Sequence, residues 1–310
     1  MQTHPPQPPE AAIRARGVVR HFGAVHAVDG VDLEVARGEV FGLIGHNGAG
    51  KSTLFKMMLG LLRPTAGEIL IEGAPVGGRD FRAVRRSVGY LPENVVLYDN
   101  LTGAETLRFF ARLKDAPLLD CDRVLDRVGL AHARDRAVRE YSKGMRQRLG
   151  FAQALLGRPR VLFLDEPTTG LDPQATREFY AILDQLRAEG ATVILTSHVL
   201  AELQERVDRL AILSAGRVQA VGSVQCLREG ADLPLRIEVL PAEGAGGAVQ
   251  QALAGLSVSG VAWRGPLLAG RCRREAKMPL LAGIAALGAA VRDLQVLEPS
   301  LEDVFFGMAD

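Results

Sequence analysis

An α/β fold with a buried parallel sheet is predicted for the larger part of this 310-residue chain, on three observations. Val40-Phe41-Gly42-Leu43-Ile44, Val161-Leu162-Phe163-Leu164 and Thr192-Val193-Ile194-Leu195-Thr196-Ser197 are uninterrupted apolar runs of strand length, the pattern of strands covered on both faces. The first run breaks into a glycine loop, Gly45-His46-Asn47-Gly48-Ala49-Gly50-Lys51-Ser52-Thr53, and then into helical spacing. The second ends in two carboxylates, Asp165 and Glu166, at the end of a strand where ligands sit in open parallel sheets.

The glycine loop has the spacing G-x-x-x-x-G-K-[ST] between a strand and a helix, which is the context that phosphate binding requires. Gly45, Gly48 and Gly50 carry no Cβ, so successive backbone N–H groups can curl around phosphate oxygens while the helix N-terminus adds its positive partial charge. Lys51 would neutralise the β- and γ-phosphates, and the Ser52 hydroxyl would ligate Mg²⁺. Leu54, Met58 and Leu61 at helical spacing predict a helix over residues 51–62, stopped by Arg63-Pro64.

Asp165 is placed to hold the Mg²⁺ ion through water, and Glu166 to polarise an attacking water. His198 follows the third apolar run at the same sheet edge, within reach of a γ-phosphate. Ser142, in Tyr141-Ser142-Lys143-Gly144-Met145, is a candidate N-cap for a helix with Met145, Leu149, Ala152 and Leu156 along one face. That helix start could bind a second phosphate group.

The remaining segments follow in order. Residues 1–12 are proline-rich with little to bury, which predicts a disordered tail. Residues 13–19 and 31–35 read as antiparallel strands around a turn at His21-Phe22-Gly23, with Phe22 as core on sequence alone. Residues 67–71 and 87–91 add short strands, and residues from about 100 to 157 read as a helical insertion. After residue 229 the signals restart as β-α-β-β-α-β, a small α+β domain of the split βαβ, ferredoxin-like kind without visible chemistry.

Lys+Arg 37 against Asp+Glu 36 leaves no general basic surface, so no nucleic-acid partner is expected. Cys121, Cys226 and Cys272 are widely spaced without a C-x-x-C pair, which argues for a reducing compartment and against a disulfide framework or zinc site. The longest apolar run, residues 279–291, is too short to cross a bilayer, so a cytoplasmic chain is expected unless a partner brings it to a membrane.

Together, the phosphate loop, helical insertion, Ser-x-Gly helix start, Asp-Glu strand end and Thr-Ser-His resemble the nucleotide-binding subunits of ABC transporters over residues 13–221. The resemblance implies a P-loop NTPase with an antiparallel β subdomain, spanning residues 13–229 and followed by an accessory domain over 230–310. It implies ATP and Mg²⁺ as ligands, with Phe22 on adenine, Gly45, His46, Asn47, Gly48, Ala49, Gly50, Lys51, Ser52 and Thr53 around the phosphates, and Ser52, Glu93 and Asp165 at the metal. Ser142, Lys143 and Gly144 would belong to the signature, Asp172 to the loop that crosses a dimer, and Glu166 and His198 to catalysis. Such subunits join head to tail as homodimers beneath a permease on the inner face of the membrane.

Two departures from the common pattern stand out: Glu93 replaces a glutamine, and the signature carries Tyr141, Lys143 and Met145 in place of Leu, Gly and Gln. Both resemble subunits that serve ABC-2-type permeases, as does the ending Pro299-Ser300-Leu301-Glu302-Asp303-Val304-Phe305. The run from Gly89 to Phe110 is similar to the NosF type of these subunits, which implies copper-site maturation of nitrous-oxide reductase and, through the permease, a periplasmic accessory protein. A soluble ABC-type ATPase without a permease would share the motifs. A P-loop GTPase should show an N-K-x-D base reader, which is absent.

Overall fold

The apolar runs form adjacent strands in the computed structural model, which describes residues 10–197 and 200–304, with Ala201 described by its backbone. β1 (Ala11–Phe22) and β2 (Val25–Ala36) make an antiparallel hairpin around Gly23 and Ala24. β1 opens inside the stretch expected to be tail. β3 (Val40–Ile44) is wholly buried and leads through the glycine loop into α1 (Lys51–Met58). β4 (Ala66–Ile71) and β5 (Ala74–Pro75) complete the first sheet in the order β2-β1-β4-β5. α2 (Phe81–Val84) and β6 (Val88–Leu91) precede the helical region of α3 (Gly103–Lys114), α4 (Asp120–Arg127) and α5 (Lys143–Leu155).

β7 (Val161–Leu164), α6 (Pro173–Ala188), β8 (Thr192–Thr196), α7 (Leu200–Leu203), β9 (Arg209–Ser214) and β10 (Arg217–Gly222) follow. The central sheet has the order β10-β9-β3-β8-β7-β6, in which β9, β3, β8, β7 and β6 run parallel. β8 therefore lies between the strand of the glycine loop and the strand of Asp165. With Leu43 paired to Thr196 and Leu164 to Leu195, all three strands deliver their C-terminal residues to one edge.

Between the two sheets, α1 buries Leu54, Phe55, Met57 and Met58 in one cluster with Ile13, Val18, Val31, Phe41 and Phe163. The Phe55 ring meets Phe163 edge-on at 5.5 Å, a favoured aromatic geometry. This packing fixes the helix N-terminus at the sheet edge. α1 ends at Met58, short of the predicted residue 62, and Leu61 is 60% exposed rather than on the apolar face. The reason is local: Gly60 sits at φ +70, with Leu61 N–H on Lys56 O at 2.8 Å and Gly60 N–H on Met57 O at 3.0 Å, a helix-terminating glycine motif ahead of Pro64.

The chain divides into two compact units, Met1–Ser223 and Val224–Asp310. This break precedes α8 (Val224–Gly230), whereas the sequence places it after that segment. The second unit continues as β11 (Leu235–Pro241), α9 (Gly246–Gly255), β12 (Ser259–Arg264), β13 (Leu267–Cys272), α10 (Lys277–Ala285) and β14 (Val291–Leu297). Its sheet is antiparallel with the order β12-β13-β11-β14. Alternation on β11 turns Leu235, Ile237 and Val239 toward Val249 and Leu253 of α9 and Leu280 and Ile284 of α10.

No residue is shared between this cluster and the core around α1. A protein ending at Ser223 is accordingly expected to stay folded and to bind ATP as the full chain does. Circular dichroism and a fluorescent ATP analogue check this; an insoluble or non-binding product would show that the units depend on one core.

Candidate nucleotide-binding site

A cleft of about 840 Å³ opens where β3, β7 and β8 end. One wall is the loop from His46 to Thr53, the opposite side carries Glu93, Asp165, Glu166 and Thr169, and Ala24, Val25, His26 and Ala27 of the hairpin border its mouth. The residue before α1 is Gly50, which is left-handed (φ 103) and offers no side-chain cap. The first N–H groups of the helix are thus left for a ligand, and with the positive end of the helix dipole they suit an anion.

Two glycines are required by contact. A Cβ on Gly45 would overlap the Leu213 carbonyl oxygen, and one on Gly50 would overlap that of Ala27. Lys51 folds back over the loop, its Nζ donating to the carbonyl oxygens of Gly45 and, at 3.2 Å, His46. Burial pulls its ammonium below the ordinary lysine range, against the opposing pull of Glu166, Asp165 and Glu93. A half-buried cation facing three carboxylates is a place where a polyphosphate can lie between charges of both signs, provided that a cation accompanies it.

Asp165 is buried at the end of β7, and its Oδ1 accepts a hydrogen bond from Thr196 Oγ1 at 2.7 Å. The same hydroxyl oxygen accepts from the Glu166 N–H at 2.9 Å. One threonine on β8 thereby sets both acidic residues of β7. Glu166 has φ 48, a left-handed conformation that costs a non-glycine residue about 1–3 kcal/mol. Sequence reasoning gave Thr196 no role; its signal was a hydroxyl at the last position of an apolar strand.

Ser52, Glu93 and Asp165, the residues expected at a metal, line this one cleft. His46 does so too, and its ring is held by neighbouring residues, Nδ1 with Asn47 O at 3.0 Å and Nε2 with Ser214 Oγ at 3.3 Å. Phe22 is not core: it is 47% exposed, beneath the Arg20 guanidinium at 4.5 Å. It does not line the cleft but ends β1 at the hairpin turn, where Gly23 and Ala24 reverse the chain and Phe22 pairs with the cleft-lining Val25.

Ser142, Lys143, Gly144 and Asp172 do not line the cleft. Ser142 Oγ accepts from Met145 N–H at 3.2 Å, capping α5, and Asp172 Oδ1 accepts from Ala175 N–H at 2.8 Å, capping α6. The two helix starts meet each other, since the Lys143 side chain fills the space where a Cβ on Gly170 would stand. His198 lies outside the described residues.

A family profile for ABC transporters matches residues 28–169. The daunorubicin resistance ATP-binding protein DrrA3 of Streptomyces coeruleorubidus is 39% identical over 301 residues, covering 95% of this chain and 92% of that protein. A solved ATP-binding subunit of an ABC transporter superposes with a TM-score of 0.66 at 33% identity, over 71% of this chain and 92% of its own. CbiO1 of Clostridium perfringens, described as part of the ABC transporter complex CbiONQ, has a TM-score of 0.63 at 29% identity, covering 71% of this chain and 93% of its own. With the cleft and the relatives in agreement, the chain belongs to the ATP-binding subunits of ABC transporters, ATPases whose hydrolysis drives transport.

Proposed function

We propose that this chain works as a head-to-tail homodimer that closes two shared ATP sites and drives a separate ABC-2-type membrane permease. The observation that carries the reading is the division of the site residues on one chain. The phosphate loop and acidic wall form one cleft, while Ser142–Gly144 and Asp172 cluster apart from it. A second copy, turned head to tail, would present its Ser142 hydroxyl and α5 N-terminus to the γ-phosphate. Each chain would then complete the other's site.

Within such a site the backbone N–H groups from His46 to Thr53 hold the phosphates and Lys51 neutralises them. Ser52, Asp165 and Glu93 fit a Mg²⁺ ion: a hydroxyl and two carboxylates are hard oxygen donors, and Thr196 occupies only one oxygen of Asp165. The ion supplies charge neutralisation on the phosphate oxygens. Glu166, whose main chain Thr196 fixes, orients and polarises the attacking water. His198 is assigned to the γ-phosphate, and Phe22, exposed and paired with the cleft-lining Val25, to the adenine. Glu93 adds a negative charge where a glutamine is common.

Among the described residues no helix is long and apolar enough to cross a membrane, so transport requires a partner that does, and the subunit works peripherally on the inner face. Val95 packs onto Gly150 of α5 while Val96 is 87% exposed, and Tyr98 lies edge-on to Phe109 at 5.7 Å. This apolar knuckle after Glu93 is assigned to a permease helix. In the second unit the strand order supports the split βαβ, ferredoxin-like reading, and its role is assigned as accessory.

Two cargoes are separable by the permease that copurifies. Similarity to a daunorubicin resistance protein extends over 95% of the chain and supports export of a drug-like compound. The Gly89 to Phe110 resemblance supports copper-site maturation of nitrous-oxide reductase over a shorter stretch.

Glu166→Gln keeps size and hydrogen bonding but loses the charge, so turnover should fall about 100-fold or more with ATP binding retained. A phosphate-release assay beside an ATP-analogue titration checks this, and unchanged turnover removes Glu166 from the role. For the dimer, Lys51→Ala and Ser142→Arg should each be inactive alone and regain activity when mixed, because one wild-type site forms in each heterodimer; no gain on mixing counts against sharing. For the permease, Val96→Arg should leave basal ATPase intact while abolishing sedimentation with permease-bearing membranes. Sedimentation that persists places docking elsewhere.

A further inference from the structure

Among the described residues, His21, His26 and Asp29 each offer one metal-competent atom, and these atoms all lie within 4.8 Å of one another. The strand pairing explains the convergence. His21, near the end of β1, pairs directly with His26, near the start of β2, and their rings face at a centroid distance of 3.9 Å. Arg20, one residue earlier, pairs with Val28, so Ala27 is an extra residue in β2. In an unbroken strand residues 26 and 29 would face opposite sides. The bulge returns Asp29 to the side of the histidines.

Two further features point to a ligand. Both guanidinium bonds from Arg217 to Asp29 fall on Oδ2, Nε at 3.0 Å and Nη2 at 2.7 Å, which orients the carboxylate and leaves Oδ1 for another partner. His21 Nε2 is buried without any hydrogen-bond partner, an orphan that folded proteins seldom keep. Its nearest aromatic neighbour is the other imidazole, tilted at 34° to it.

We propose that His21, His26 and Asp29 bind a divalent transition-metal ion of the imidazole-preferring class, Zn²⁺ or a chemically similar ion. Two imidazoles and one carboxylate select such an ion over Mg²⁺ or Ca²⁺, which prefer oxygen. At zinc bond lengths of about 2.0–2.1 Å, tetrahedral ligand atoms lie roughly 3.4 Å apart, so the trio closes slightly on the ion and leaves a position for water. The site is separate from the acidic wall where Mg²⁺ is placed. It joins β1 to β2 immediately beside Phe22 and the hairpin wall of the cleft, so occupancy ties down the mouth through which a nucleotide enters. Metal binding here requires neither the dimer nor the permease.

The test titrates Co²⁺ into tag-free, metal-stripped full-length protein without nucleotide, following visible absorption. One Co²⁺ per chain with a nitrogen-and-oxygen ligand spectrum is expected, displaced by Zn²⁺ and not by Mg²⁺. His26→Ala, at an exposed position that tolerates truncation, should weaken Co²⁺ binding about 10- to 100-fold or more, as should His21→Ala if its apo form melts like the wild type. His132→Ala should bind as the wild type does. Absence of a Co²⁺ spectrum in the wild type, displacement by Mg²⁺, or an unchanged affinity in His26→Ala overturns the proposal.

Discussion

The phosphate loop is wedged between main-chain carbonyl groups, and the rest of the first unit is arranged to keep it there. Leu213 O presses on Gly45 and Ala27 O on Gly50, both too closely for a side chain. The turn after β9 ties the same parts together: Gly216 N–H donates to Ala49 O at 3.1 Å, and Gly216 O accepts from Asp29 N–H at 2.9 Å. A loop held through its own backbone on one side keeps its N–H groups for an anion on the other. The two flanking sheets serve as the clamp, and the core around α1 holds them in register.

The acidic edge obeys a second constraint. Two carboxylates next to each other on one strand would point to opposite faces, so bringing both toward a cleft requires a break in the strand. The left-handed Glu166 is that break, and the Thr196 hydroxyl, accepting from its N–H and donating to Asp165, offsets the cost. This side-chain bond crosses from β7 to β8, so the catalytic carboxylate assigned above is positioned by the neighbouring strand as much as by its own.

The signature segment shows the opposite economy. Its serine and the aspartate of the following loop each spend a side-chain oxygen capping their own helices, and Lys143 covers Gly170 within the same chain. These groups are rigidly placed without contributing to their own cleft, which is the physical ground for assigning them to a partner's. The second unit has a separate core, with buried and solvent-facing positions alternating along β11, and the cleft-lining residues described above all belong to the first.

Local patterns carried much of this in the sequence. An apolar run is a buried strand almost wherever it falls, so β3, β7 and β8 were legible. The glycine-lysine spacing marked the phosphate loop because its chemistry is backbone chemistry, written contiguously. Other features depended on neighbours distant in sequence and only the tertiary structure decided them. Thr196 reads as an ordinary strand residue until β8 lies between β3 and β7. Phe22 reads as core until the hairpin turn leaves it exposed, and Leu61 as helix face until Gly60 ends the helix. His21, His26 and Asp29 have no sequence pattern at all, since a single bulged residue, visible only in the pairing of β1 with β2, brings them to one side. Sequence spacing determines what a side chain can do along its own element; which groups meet across elements is set by strand order and register.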